Sequence, residues 1–157
     1  MFSGRHDHAL DEKGRSMVPK EFRNLLDGLG QTSLIVTVRP EERPYLEAWT
    51  PSAFRAEQRK INERTDAKPR RLRSFRRMFV GHAATVPIDK AGRLLVPPEL
   101  RGMVGLTDRI TFLGVGEEDY FELWQPESLV AEHAYCVQHA DEIFDALTPD
   151  AGIAEST

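Results

Sequence analysis

Cysteine is almost absent from this 157-residue chain: the single thiol, Cys136, excludes an internal disulfide and any multi-cysteine zinc site. Long apolar runs are missing too, and none approaches the length of a membrane span. Residues 1–6 lack the apolar core of a secretory signal. These absences lead us to expect a cytoplasmic protein with no membrane partner. Basic residues are scarce at one end. Residues 99–157 hold only Arg101 and Arg109 against thirteen acidic residues, a net −11, whereas residues 1–98 hold nineteen basic and twelve acidic, a net +7. The overall charge of −4 therefore hides a basic portion suited to a polyanion, or else a solvated charged face. No Ser-His-Asp arrangement, phosphate-binding glycine loop or paired-carboxylate cleft is recognisable, so no enzyme, cofactor or small-molecule ligand is expected.

What is present is a motif used twice. Asp11-Glu12-Lys13-Gly14-Arg15 is followed by Val18-Pro19, Glu21 and Arg23. Asp89-Lys90-Ala91-Gly92-Arg93 is followed by Val96-Pro97, Glu99 and Arg101. A second block repeats as Tyr45-x-Glu47-x-Trp49-x-Pro51 and Tyr120-x-Glu122-x-Trp124-x-Pro126. A unit of about 45 residues occurs twice, and one copy is too small to bury an apolar face well by itself. Pairing of the halves, and association of chains beyond that, is the expected remedy.

Each unit reads as strand, turn, strand, short helix, strand, strand. In the first, residues 5–10 and 15–18 flank a turn at Asp11 to Gly14, where aspartate bonds nearby backbone and glycine supplies positive φ. Pro19 suits the first turn of a helix carrying Phe22, Leu25 and Leu26. Leu34 to Val38 and Tyr45 to Trp49 are the next strands. Thr50-Pro51 opens a helix to about Arg64. A second helix, from about Arg70 to Val80, has Leu72, Phe75 and Phe79 at helical spacing. Pro126 opens a closing helix with an apolar stripe of Leu129, Val130, His133, Val137, Ala140, Ile143, Phe144 and Leu147. The organisation is thus 5–53 and 82–128 as repeats, 54–81 as a helical basic connector, 129–147 as the closing amphipathic helix, and 148–157 as a disordered tail.

Several residues carry more than one reading. Asp11 and Asp89 stand four residues before Arg15 and Arg93 across a turn, within salt-bridge reach. Such a pair is either a structural clamp or a held guanidinium that meets a phosphate or a guanine edge through two parallel hydrogen bonds. Arg5, Lys13 and Lys90 either add phosphate contacts or are solvated. The Arg70–Arg77 cluster either contacts DNA or pairs with the acidic closing helix of the next repeat or of a neighbouring subunit; we favour the second. His6, His8 and His82 form no metal set and read as surface histidines. Trp49 and Trp124 read as core.

At the paired Asp-x-x-Gly-Arg turns, the chain resembles the MraZ family of bacterial regulators, built from two SpoVT-AbrB-type domains. Met1-Phe2, Asp11 to Pro19, Gly81-His82-Ala83, Asp89 to Pro97 and Leu100-Arg101 carry the likeness. Ser16-Met17 departs from it, since an apolar residue more often follows the arginine, as Leu94 does in the second repeat. The resemblance implies an α+β, mainly β fold, with tandem swapped-hairpin repeats forming an intrachain pseudo-dimer. It implies a ring-like homo-oligomer in the cytoplasm and nucleoid. That assembly would be a sequence-specific transcriptional regulator of tandem short repeats of double-stranded DNA in the promoter of its own division and cell-wall gene cluster. It assigns DNA contact to Arg15 and Arg93, positioned by Asp11 and Asp89, with Lys13, Lys90 and Arg5 as additional contacts. The alternative is an antitoxin-like module of the same fold that binds a protein toxin. Such modules usually carry one copy of the fold and a disordered tail.

Overall fold

The computed structural model describes residues 1–148. The first repeat supplies β1 (Ser3–Ala9), β2 (Arg15–Met17), α1 (Lys20–Gly28), β3 (Ser33–Arg39) and β4 (Tyr45–Trp49). Two helices follow, α2 (Pro51–Asn62) and α3 (Pro69–Phe79). The second repeat supplies β5 (Ala84–Pro87), β6 (Arg93–Leu95), α4 (Pro98–Val104), β7 (Arg109–Val115) and β8 (Tyr120–Trp124). Helices α5 (Pro126–Gln138) and α6 (Ala140–Leu147) come last. Residues 1–126 form one compact unit, and a second begins at Glu127.

Flanking a turn does not make β1 and β2 a hairpin. β1 pairs with β7 of the other repeat, and β5 pairs with β3, so each first strand is lent across. β2 pairs with β6 in a separate two-stranded ribbon. The remaining strands form an antiparallel sheet of order β1-β7-β8-β4-β3-β5, with β4 and β8 meeting at its centre. The exchange follows from size: neither repeat closes a sheet over its own apolar face, and the two together bury one core. Phe2, Phe22, Phe112 and Phe121 pack there as edge-on and tilted rings, beside Leu26, Leu94, Leu100 and Leu123. A second cluster joins Trp49 to Phe54, Ile61 and Phe79 beneath α2 and α3. Trp49 and Trp124 are both buried, as expected.

Pro19 stands just ahead of α1 rather than in its first turn. Thr50 precedes α2, but its hydroxyl makes no cap bond. The closing helix is not continuous: it breaks at His139, whose backbone leaves the helical region (φ −112°, ψ 23°). Its apolar stripe is largely uncovered, since only Leu129 is buried in α5 and no residue is buried in α6. The expected disordered tail lies, from residue 149, outside the described residues. No helix among the described residues is long and apolar enough to cross a membrane.

Two glutamates break the pattern of charged residues outside. Glu47 and Glu122 stand directly opposite each other on β4 and β8, and both are buried. Glu122 accepts a hydrogen bond from Trp124 Nε1 at 2.8 Å. Glu47 is held by Arg39, whose nitrogens lie 2.8 and 2.9 Å from its Oε1. The last position of β7, equivalent to Arg39 on β3, is Val115. One guanidinium therefore serves a site with two carboxylates. Burial pushes the Glu47 carboxyl up to about 7 against the opposing pull of Arg39, and burial also raises Glu122.

The Ser16 departure has a structural cost. Ser16 faces Leu94 across the ribbon and is equally enclosed, yet its hydroxyl has no partner. Ser16→Ala is expected to raise stability by about 1 kcal/mol, because it removes an unpaired buried hydroxyl at the loss of one small atom. Chemical denaturation measures it, and a loss of stability would contradict the packing. Glu47 generates a pH prediction. Its folded pKa lies above its unfolded value, so its stabilising contribution is complete below about pH 4.5 and lost as pH rises through about 7. Between pH 5.5 and 8 this residue accounts for a fall of about 2 kcal/mol. Unfolding curves at the two pH values should differ by that much less in Glu47→Gln than in the parent protein.

Candidate nucleic-acid interface

The two Asp-x-x-Gly-Arg turns fold by one local rule. Gly14 N–H donates to the Asp11 carbonyl at 2.9 Å, and Asp11 N–H to the Arg15 carbonyl at 2.9 Å. Asp11 Oδ1 accepts the backbone N–H groups of Lys13 and Arg15 at 3.0 and 2.8 Å. Its Oδ2 accepts Arg15 Nε at 2.8 Å. In the second repeat, Asp89 Oδ1 accepts from Ala91 and Arg93 at 3.0 and 2.9 Å, and Oδ2 accepts Arg93 Nε at 2.9 Å. The backbone N–H of each arginine is the largest influence holding its aspartate below the usual carboxylate range; the guanidinium adds to it. Both aspartates are therefore charged at neutral pH. In this geometry the carboxylate clamps the turn and also tethers the guanidinium through Nε. That tether leaves the Nη nitrogens for a further acceptor.

The turns are held by each other. Val96 N–H donates to the Gly14 carbonyl at 2.8 Å, and Val18 N–H donates to the Gly92 carbonyl at 3.0 Å. Gly14 and Gly92 have φ of +86° and +85°, in the left-handed region that glycine adopts freely. A Cβ on Gly14 would come within 2.5 Å of Arg101 Nε, and one on Gly92 within 2.7 Å of Arg23 Cδ. Each turn thus has the other repeat's arginine packed on its glycine. Arg101 Nε donates to the Val96 carbonyl and Arg23 Nε to the Val18 carbonyl, both at 2.9 Å. Arg23 and Arg101 were visible as matched positions of the repeat, but nothing in a single sequence reveals that they cross between turns.

Beyond the turns, β2 and β6 form the ribbon. Its inner face is Ser16 and Leu94; its outer face is Arg15 and Met17 beside Arg93 and Leu95. Arg15 lies opposite Leu95 and Arg93 opposite Met17, so the arginines are diagonal neighbours, with backbones about 7–8 Å apart. Their side chains are 34% and 38% exposed, and Met17 and Leu95 are exposed between them.

Lys13 and Lys90 are exposed on the turns. Arg5 is not brought to them by any described contact: it sits on β1 with its Nε 3.3 Å from Asp7. His6 and His82 are more than chance surface histidines. Their rings lie 3.1 and 3.4 Å from Glu21 and Glu99, the equivalent first-turn glutamates of α1 and α4. His6 Nε2 is nonetheless not aligned with Glu21 as a hydrogen bond. No cluster of metal-ligating side chains occurs among the described residues. None of Arg70, Arg71, Arg73, Arg76 and Arg77 forms an ion pair among the described residues.

A family model described as "MraZ protein, putative antitoxin-like" matches residues 1–75 and 78–138. A protein of Thermomicrobium roseum called Transcriptional regulator MraZ is 36% identical over 136 residues, covering 84% of this chain and 87% of its own. One of the same name from Polaromonas sp. is 35% identical over 134 residues (85% and 89%), and one from Desulfosudis oleivorans 38% over 125 (79% and 80%). With both repeats and both turns inside the matched segments, the chain belongs to the MraZ family.

Proposed function

We propose that this chain is a transcriptional regulator, not an enzyme, that binds double-stranded DNA through the β2–β6 ribbon. Its targets are tandem short repeats in the promoter of its own division and cell-wall gene cluster. The observation that carries this reading is the ribbon's outer face, with two carboxylate-tethered arginines set diagonally on two antiparallel strands. A two-stranded ribbon fits the major groove, where a guanidinium meets guanine O6 and N7 through two hydrogen bonds. Asp11 and Asp89 orient Arg15 and Arg93, while Lys13 and Lys90 meet flanking phosphates, which fix register rather than sequence. Arg5, bound to Asp7 on β1, is a peripheral phosphate contact. The relatives' shared name supports regulation.

The exchanged first strands support the swapped-hairpin reading, with the chain as its own pseudo-dimer. The functional species is a ring-like homo-oligomer that places several ribbons on successive repeats, in the cytoplasm and on the nucleoid, without a cofactor. The second reading, an antitoxin-like module that binds a protein toxin, has the family description in its favour. Two copies of the motif folded into one unit count against a single-copy module with a free tail.

Arg15→Ala and Arg93→Ala should each weaken binding to promoter DNA by about tenfold to a hundredfold, the worth of one charge-assisted contact. The fold should persist, since the Oδ1 bonds of Asp11 and Asp89 to the backbone remain. Arg→Lys should recover only part of the affinity, lacking the planar fork. Gel-shift titration with thermal unfolding as control decides. Unchanged affinity in both alanine variants removes the proposed site, and wild-type protein that ignores promoter DNA returns the toxin-binding reading.

A further inference from the structure

The last helix is an unsatisfied element. α6 has eight residues and none of them is buried. Helices this short are unstable alone in water. Ala140, Ile143, Phe144 and Leu147 share one face at i, i+3, i+4 and i+7, with Phe144 69% and Leu147 76% exposed. Asp141, Glu142 and Asp145 flank that face, and neither α5 nor α6 contains a lysine or arginine. Something outside these residues must cover an apolar stripe that carries only negative charge.

A groove of complementary chemistry lies elsewhere on the same chain. It has a volume of about 310 Å³ and runs along α3, with Ile61, Leu72 and Phe75 as an apolar floor and Arg64 and Arg71 among its walls. Leu72 and Phe75 are half-buried, so they offer apolar surface to a visitor. Of the five exposed α3 arginines that form no ion pair among the described residues, Arg71 lines the groove; Arg64, beside it, is paired with Asp66 at 2.8 Å on the exposed surface. α6 spans about 12 Å and α3 about 16 Å, so the shorter helix fits within the longer one's length. A second apolar groove, between Met1, Leu25 and Leu29, has the Glu118 carboxylate in its lining, which disfavours an acidic helix there.

We propose that α6 of one copy docks in the α3 groove of a second copy, with Phe144 and Leu147 on the Leu72–Phe75 floor and Glu142 and Asp145 against the arginine rim. This deepens the oligomer reading above and rests on it. Helix and groove are different patches, so the contact is head-to-tail, the kind that generates a ring when the rotation closes. Apolar burial supplies the adhesion, while the charge match selects this groove and fixes register. Arg71 of the Arg70–Arg77 cluster then serves assembly, and the ribbon is left free for DNA.

The test is the mass of the assembly by light scattering at micromolar protein, using the full chain. Wild type should exceed a dimer. A groove variant (Arg64→Glu with Arg71→Glu) and a helix variant (Glu142→Arg with Asp145→Arg) should each fall to half the wild-type mass or less. Mixing the two, or placing all four changes in one chain, should restore most of the mass, because each reversed surface then meets a reversed partner. Phe144→Ala with Leu147→Ala should also reduce the mass. Those side chains lie outside the unit of residues 1–126, so this variant probes docking without disturbing the core. If wild type is an oligomer and every variant keeps its mass, the docking is wrong while the oligomer reading stands. A monomeric wild type overturns both. Loss of mass without recovery on mixing, or loss of DNA affinity in the groove variant with mass intact, assigns the arginines to another partner and overturns the proposal.

Discussion

The structure depends on a reciprocal hold between two turns that neither repeat can make alone. The Gly14 carbonyl accepts Val96 N–H, the Gly92 carbonyl accepts Val18 N–H, and Arg101 and Arg23 pack on the opposite glycines. Positive φ at Gly14 and Gly92 is cheap only for glycine, and the arginine above each leaves no room for a side chain. The aspartates complete the arrangement locally: one carboxylate oxygen takes two backbone donors while the other takes the guanidinium. Scaffold and candidate reader are therefore one object. A change that loosens a turn also releases an arginine.

The same exchange organises the sheet. β1 and β5 cross to β7 and β3, and β4 meets β8 at the centre. A centre built from equivalent strands sets equivalent residues opposite one another, which brings Glu47 against Glu122. Carboxylates buried opposite each other are tolerated only with a cation, a proton or hydrogen-bond donors. Arg39 supplies the cation to Glu47 and stacks over Phe79 and Phe75, tying the sheet to α3. Duplication thus creates both the ribbon and a liability at the axis, which Arg39 relieves, bonding Glu47 directly and acting on Glu122 by its charge.

Much of this was legible in the sequence because it is local. The Asp–Gly turn, its repetition, the spacing of Asp to Arg and the burial of Trp49 and Trp124 follow from turn chemistry and periodicity. What was not legible is pairing. Period-two alternation tells which face a residue takes, not which strand it meets, so β1 and β2 read as neighbours although each bonds across to the other repeat. The break at His139 was hidden because the apolar stripe runs on through it at helical spacing. Glu47 and Glu122 were visible as repeated letters, yet nothing local says that a strand glutamate is buried. Arg23 and Arg101 stood in the motif unassigned for the same reason: their partners are a whole repeat away.

The most direct test of the central claim is the structure of the chain bound to its promoter repeats. The ribbon should lie in the major groove, with Nη nitrogens of Arg15 and Arg93 about 2.7–3.2 Å from base or phosphate acceptors. Asp11 and Asp89 should keep their Nε contacts. A complex in which α3 lies along the DNA while the β2–β6 ribbon faces solvent would contradict the account.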